Sequence, residues 1–321
     1  MALVMTDRTR EAIAWASSNG FMVRSQTNNQ LFDHAPFTLY PTPYPIHLYK
    51  QAQSLAVPFN LLVDRVARND QWLRATLVEA AQADPFVADQ MKIYDTVMKE
   101  GIAQQTYLGI HRSDYMIHAP SSTDHTHTHT AQEQRILQVE LNTIAASFGC
   151  LSTKISQMHH YLQQKSQLLH PQDQQAATST EPVLAENQAT VGLANAIHEA
   201  HQQYTVQRSS FPSSPSSAST CVLFVVQDGE TNTVDQRLFE FELTSKHNVP
   251  VLRRSLTSLS DNTVARLNNV DGTNVLVVEG HEISVVYYRA GYTPNDYPTE
   301  DEWSARLMVE RSYAIKCPSI A

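Results

Sequence analysis

Two oxygen-bearing side chains stand two residues apart in residues 137–150, which read Leu-Gln-Val-Glu-Leu-Asn-Thr-Ile-Ala-Ala-Ser-Phe-Gly-Cys. Glu140 and Asn142 offer a carboxylate and an amide oxygen, hard ligands suited to Mg²⁺. The first half of the stretch alternates. Leu137, Val139 and Leu141 are expected on one face of a strand, with Gln138, Glu140 and Asn142 on the other. The apolar face is expected to join a core. An ordinary half-buried strand with a wet face has the same pattern, and from this strand alone that plainer reading is favoured.

A cation near the pair would change the chemistry. Residues 106–116 read as a strand ending in His111-Arg112-Ser113-Asp114-Tyr115-Met116. Two strands joined by one loop predict a hairpin, with Arg112 in the neighbourhood of Glu140 and Asn142. The loop between them carries His125, His127 and His129 alternating with threonine. Alternate histidines in an extended segment share a face and could take a transition metal, but a solvated hairpin tip is preferred. A third place is the 289–294 run, Arg-Ala-Gly-Tyr-Thr-Pro, where a strand ends. Arg289 could grip a carboxylate bidentately; a surface ion pair is an equal alternative on this evidence.

Elements must position these groups. Residues 6–20 predict a helix capped by Thr6 or Asp7 and ended by Gly20. Pro36, Pro41, Pro43 and Pro45 make a stiff extended segment. Helical patterns fill 46–100, with caps expected at Asn69-Asp70 and Asp84-Pro85. A helix after Gly149 carries Leu151, Ile155, Met158 and Leu162; a loop is expected over 171–189, then a helix marked by Leu193, Ile197 and Tyr204. The Ser/Pro-rich stretch 207–220 is expected to divide the chain into an N-terminal part, 1–206, and an α/β part, 221–321. In the second part 221–226 is a continuous apolar run, as for a strand buried on both faces. A helix over 236–247, strands over 250–254, 274–278 and 283–289, and a helix over 300–315 follow. Ligands of such sheets gather at the carboxyl ends of strands, which directs attention to 227–236 and 289–292.

The totals fit this picture. The chain has 321 residues, 42% hydrophobic and 17% charged, as for a globular protein of about two domains at ~150 residues each. A net charge of −9 disfavours a general nucleic-acid binder. Three cysteines, Cys150, Cys221 and Cys317, predict reduced thiols rather than a disulfide framework, hence a cytoplasmic setting. No signal peptide or membrane-length apolar run is read.

The residues resemble those of eukaryotic-type glutathione synthetase, block by block and in order. Ala35-Pro36-Phe37-Thr38-Leu39, Phe59-Asn60-Leu61-Leu62-Val63-Asp64 and Lys99-Glu100-Gly101-Ile102-Ala103-Gln104 look like its N-terminal blocks. Arg112-Ser113-Asp114-Tyr115-Met116 and Glu140-Leu141-Asn142-Thr143-Ile144 look like its active-site blocks. Asp235-Gln236-Arg237, Arg289-Ala290-Gly291-Tyr292, Glu310-Arg311-Ser312 and Lys316-Cys317-Pro318 continue the match. The resemblance implies a permuted ATP-grasp core portion with an α/β substrate-binding domain. It implies ATP- and Mg²⁺-dependent ligation of γ-glutamylcysteine to glycine through an acyl phosphate, by a homodimer. Glu140 and Asn142 would hold Mg²⁺, Glu140 also against ATP, and Arg112 would stabilise charge on the reacting carboxyl. Ile144, Ala145, Ala146, Ser147, Glu230, Thr231, Asn232, Gln236, Arg289, Ala290, Gly291 and Tyr292 would bind the dipeptide, with Glu230 facing its ammonium.

Two departures stand out. Ala145 takes the place of a serine common in the family, at a cost of about 0.5–1.5 kcal/mol if a hydrogen bond is lost. Family members also continue past the position of Ala321 with further ATP-binding lysines and a glycine-rich loop. The 9 glycines of this chain form no such phosphate cradle. The sequence is therefore read as a synthetase fragment; the alternative is a non-catalytic short form that binds γ-glutamylcysteine or glutathione, or pairs with a full-length subunit.

Overall fold

The apolar run at residue 221 is a strand, β5 (Thr220–Val225), buried from Cys221 onward as its composition demands. In the computed structural model, which describes residues 6–118, 134–169, 183–211 and 220–321, it pairs in parallel with β6 (Val251–Arg254) and β9 (His281–Tyr288). An antiparallel hairpin, β7 (Ala265–Val270) and β8 (Thr273–Val278), extends the sheet beyond β9, giving the order β6-β5-β9-β8-β7. A short strand, β10 (Ile315–Cys317), adds to β9 in parallel. The strand β7 was not anticipated. The helix expected over 300–315 stops earlier: α9 (Glu300–Glu310) ends in a turn at 311–314, and the chain re-enters the sheet as β10.

The described chain divides into two compact units, neither continuous in sequence. The second holds Pro45–Ala146, Ala196–Asp228 and Asn248–Ala321. Besides the sheet it contains α2 (Ile46–Ala67), α3 (Asp70–Ala83) and α4 (Pro85–Glu100). Asn69 and Asp84 cap α3 and α4 through the Trp72 and Phe86 N–H groups, with Pro85 at the first helical position, as predicted. Pro58 lies inside α2, which runs on unbroken to Ala67. β3 (Arg112–His118) and β4 (Arg135–Asn142) form a separate two-stranded antiparallel sheet in this unit. The strand expected over 106–116 is displaced to this span. The core gathers Leu223, Val225, Leu276, Val278, Ile283, Val286 and Tyr288 from the sheet with Ala305 and Val309 of α9 and Leu256 and Leu259 of α8 (Leu256–Ser260).

The first unit holds Met1–Tyr44, Ser147–Asn195 and Gly229–His247. Its α1 (Asp7–Ser18) starts at Thr6, whose hydroxyl accepts the Thr9 N–H. A small hairpin, β1 (Met22–Arg24) and β2 (Phe32–His34), follows. Two helices, α5 (Gly149–Leu169) and α7 (Thr233–His247), complete it with the first turns of α6 (Ala189–Ser209), the rest of which belongs to the second unit. Ala12, Ala16, Phe21, Leu151, Met158 and Leu162 form its core. Of the Ser/Pro-rich stretch, 207–209 are helical and Thr220 opens β5; 212–219 lie outside the described residues, and second-unit residues stand on both sides of it. The histidines at 125, 127 and 129 also lie outside the described residues.

Charge is buried under α9. Glu310 is fully enclosed and accepts from the Arg306 guanidinium at 2.9 Å, while Arg306 lies 3.9 Å over the Tyr288 ring. Lys316, 1% exposed, donates to the Ser312 and Glu310 carbonyls at 2.8 and 3.2 Å. Burial outweighs the attraction of Glu310 and pushes the Lys316 amine down to about 8. A lysine depressed on folding binds fewer protons folded than unfolded, so its stability penalty is full below pH 8 and fades as pH rises. Unfolding free energy of the wild type, taken relative to Lys316→Met, is expected to rise by up to about 3 kcal/mol between pH 8 and 10.5. Urea titrations at pH 7.5 and 10 measure it; a flat difference rules it out.

Candidate functional site

The β3–β4 hairpin puts Arg112 opposite Asn142 and Asp114 opposite Glu140. The adjacency expected from topology is therefore present. Arg112 donates from Nε and Nη2 to the two Asp114 oxygens at 2.8 and 2.9 Å, and from Nη2 to Glu140 Oε1 at 3.4 Å. The Asn142 amide donates to the same Glu140 oxygen at 2.9 Å. The Arg112 guanidinium holds the Asp114 carboxyl below its ordinary value, and Asp114 in turn raises the hold of Arg112 on its proton. Asp114 is a site residue that the sequence reading assigns no role. Its signal was the spacing: residue i+2 on a strand shares the face of Arg112.

The expected faces of β4 need correction. The register steps from Asp114↔Glu140 to Tyr115↔Gln138, leaving Val139 as an extra residue, a β-bulge. One extra residue reverses the alternation behind it. Gln138 therefore lies on the face opposite Glu140 and Asn142, and its amide donates to Ser113 Oγ at 2.8 Å. Leu137, opposite Met116, shares the face of Glu140. Nor does an apolar face of β4 enter a core: Leu137 and Val139 are 44% and 58% exposed. The bulge turns the strand at the residue before Glu140, as bulges beside functional groups commonly do.

Residues 143–148 leave β4 in a turn with two strained positions, Ala145 at φ 51° and Phe148 at φ 66°. Within the second unit, Ile144 packs on the sheet core and the Ala146 carbonyl accepts from Arg289 Nη1. Arg289 is buried, and its guanidinium lies 6.0 Å from the Tyr287 ring centroid. It is not the exposed ion pair considered as its alternative. Its backbone N–H donates to the Val225 carbonyl at 2.7 Å, which ties the exits of β9 and β5 together. Ala290 is buried and Tyr292 is 42% exposed. Between them Gly291 has φ +94°, where a side chain strains the backbone, and a Cβ there would crowd the Tyr297 hydroxyl at 3.0 Å and Arg306 Nη1 at 3.2 Å.

Within the first unit a second group assembles. Glu230 accepts the Asn232 N–H at 2.7 Å and the Gln236 amide at 3.1 Å. Gln236 is buried, and the Asn232 side-chain oxygen is enclosed with no hydrogen-bond donor among the described residues. The Glu230 and Thr231 carbonyls accept from Arg24 Nε and N at 3.2 and 3.1 Å, which fixes this turn to β1. Ser147 opens the segment that leads into α5.

Two carboxylates that carried no predicted role organise these segments. Asp235, buried at 5% exposure, accepts the Phe148, Cys150 and Leu151 N–H groups, each at 2.9 Å, and so caps α5 from α7. Asp296 does the same for 291–293 in the second unit. The Thr293-x-x-Asp296 spacing, a capping-box spelling, was its signal in the sequence. Asp235 had none, because its partners lie more than 80 residues away.

The donor set of the hairpin fits Mg²⁺. Glu140 and Asn142 supply hard oxygens on one face, and such ions take most of their remaining ligands from water and phosphates. Among the described residues no group of three or more His, Cys, Asp or Glu could hold a metal by itself. No helix among them is long and apolar enough to cross a membrane.

Residues 5–274 match the family described as eukaryotic glutathione synthase, ATP binding domain. The chain belongs to that family. It is 38% identical to glutathione synthetase of Dictyostelium discoideum over 326 residues, covering 99% of this chain and 62% of the relative. The Homo sapiens synthetase is 35% identical over 320 residues, covering 99% and 60%. The Arabidopsis thaliana chloroplastic synthetase is 33% identical over 318 residues, covering 97% and 52%. The chain thus spans about three fifths, or less, of these glutathione synthetases. In fold it is similar to a glutathione synthetase-like effector from Globodera pallida, solved in the apo form, with TM-score 0.67 and 19% identity over 97% of this chain and 60% of that one.

Proposed function

We propose that this chain is part of a glutathione synthase, which joins γ-glutamylcysteine to glycine with ATP and Mg²⁺ through an acyl phosphate. The observation that carries the reading is the Arg112–Asp114–Glu140–Asn142 cluster, which gathers residues from the two stretches that resemble the family's active-site blocks, in a chain similar to a synthetase over 99% of its length. Glu140 and Asn142 would hold Mg²⁺, with Glu140 also against the nucleotide. The ion would neutralise phosphate charge.

The chain's own groups have distinct work. Arg112, kept charged and oriented by Asp114, stabilises negative charge on the reacting carboxyl. Glu230, aligned by Asn232 and Gln236, accepts the dipeptide ammonium, and the Asn232 side-chain oxygen supplies a further acceptor. Arg289 and Tyr292 take its carboxylate end; Ile144, Ala145, Ala146, Ser147, Thr231, Ala290 and Gly291 contribute backbone and hydroxyl contacts. We place these residues in an ATP-grasp fold of permuted order with a separate substrate-binding part, in a cytoplasmic homodimer. A non-catalytic binding form is the lesser reading, as no feature of the described residues favours it. Full-length protein is expected to make glutathione from γ-glutamylcysteine, glycine and MgATP, detected by mass spectrometry. No product at millimolar substrates would end the reading.

A further inference from the structure

Asp296 collects more hydrogen bonds than a short helical turn requires. Its Oδ2 accepts three successive backbone N–H groups, Gly291 at 2.8 Å, Tyr292 at 3.1 Å and Thr293 at 3.2 Å. Its Oδ1 accepts the Gln227 side-chain amide at 2.8 Å. The turn it caps, Pro294–Asp296, is a single 3₁₀ turn, for which the bond to Thr293 alone would serve. Successive N–H groups beside a residue with positive φ form a concavity that favours an anion. Here the chain supplies that anion itself.

The position of these contacts gives them meaning. Gln227 lies just after β5, and 291–293 lie just after β9. These are the carboxyl ends of neighbouring parallel strands, where the direction of strand succession reverses and ligands of open α/β sheets gather. A cavity of about 420 Å³ opens there, and Gln227 and Asp296 both line it. From the other side the Tyr297 hydroxyl donates to the Gly291 carbonyl at 3.2 Å. Gly291 is thus held at both its N–H and its C=O, and the residues that flank Ala290-Gly291, Arg289 and Tyr292, inherit a fixed direction.

We propose that Asp296 is a positioning residue for γ-glutamylcysteine: it clasps the loops after β5 and β9 and fixes the backbone between Arg289 and Tyr292 before the ligand arrives. The proposal rests on the synthase reading. Asp296 touches no substrate itself. It lowers the ordering cost of binding, which appears in affinity and leaves the chemical step alone.

The test compares full-length wild type with Asp296→Asn, which keeps the size but loses the charge and part of the accepting capacity. KM for γ-glutamylcysteine is expected to rise about tenfold with kcat within twofold. Amide exchange at Gly291, Tyr292 and Thr293 is expected to quicken at least about tenfold, with other amides unchanged. An unchanged KM in a folded variant overturns the proposal, as does unchanged exchange at the three amides. If Asp296→Asn does not fold, Gln227→Ala decides: it releases the clasp from the β5 side only, a KM rise of about threefold or more supports the proposal, and wild-type KM overturns it. A wild type that neither binds nor turns over γ-glutamylcysteine overturns the synthase reading, and the clasp falls with it.

Discussion

Glutathione formation by the full-length protein is expected to fall about 100- to 1000-fold when Arg112 is replaced by alanine, the usual effect of removing a preorganised donor from developing negative charge. The fold is expected to survive. Arg112 is about a third exposed, and β3 and β4 are held by seven paired positions, of which its side chain supports none. Its removal leaves Asp114 and Glu140 facing each other without a cation, so the loss falls on charge stabilisation and on the orientation of Glu140 together. Arg112→Lys is expected to recover only part of the rate, because an ammonium cannot reproduce the two parallel bonds to Asp114. Steady-state assays at saturating MgATP measure both variants. Activity of Arg112→Ala within tenfold of wild type would remove this arginine from the chemistry.

The largest expected effect on stability lies at Asp235. Asp235→Ala strips three N–H groups at the start of α5 of their acceptor and is expected to cost about 3–5 kcal/mol of unfolding free energy. The same bonds hold Phe148 in its left-handed conformation, a position that costs about 1–3 kcal/mol and persists only when its surroundings enforce it. Asp235→Asn, which keeps one accepting oxygen, is expected to lose roughly half as much. Urea unfolding followed by circular dichroism reads the difference. A loss under about 1 kcal/mol for the alanine variant would show that water replaces the carboxylate and that the cap is dispensable.

The fold and the site are unevenly legible in the sequence. The apolar run at β5, the caps of α3 and α4 and the pairing of Arg112 with the Glu140 strand follow from local composition and from the shortest connection between two strands, and they stand in the structure. The bulge at Val139 does not, because Leu-Gln-Val-Glu-Leu-Asn alternates without a break and the extra residue is neither glycine nor proline. Nor did composition announce that α9 stops at Glu310: Arg311, Ser312 and Tyr313 continue a helical pattern, and pairing with β9 takes residue 315 into the sheet instead. The role of Asp235 is a tertiary fact, legible only once donors more than 80 residues away have been folded against it. Asp296 is half legible: its spacing from Thr293 spells a capping box, while the bond from Gln227 is seen only in the fold.

The bulge separates two frames of reference in one strand. Glu140 and Asn142 take their facing from the segment that follows, through the pairs with Asp114 and Arg112, while Arg135, Ile136, Leu137 and Gln138 take theirs from the other end of the hairpin. An insertion or deletion on the far side of Val139 can slide those four residues along His118, Ile117, Met116 and Tyr115 without turning Glu140 over. Length variation on that side is therefore insulated from the Arg112–Asp114–Glu140–Asn142 cluster, whereas a single residue gained or lost between Glu140 and Asn142 would point the two oxygen donors in opposite directions.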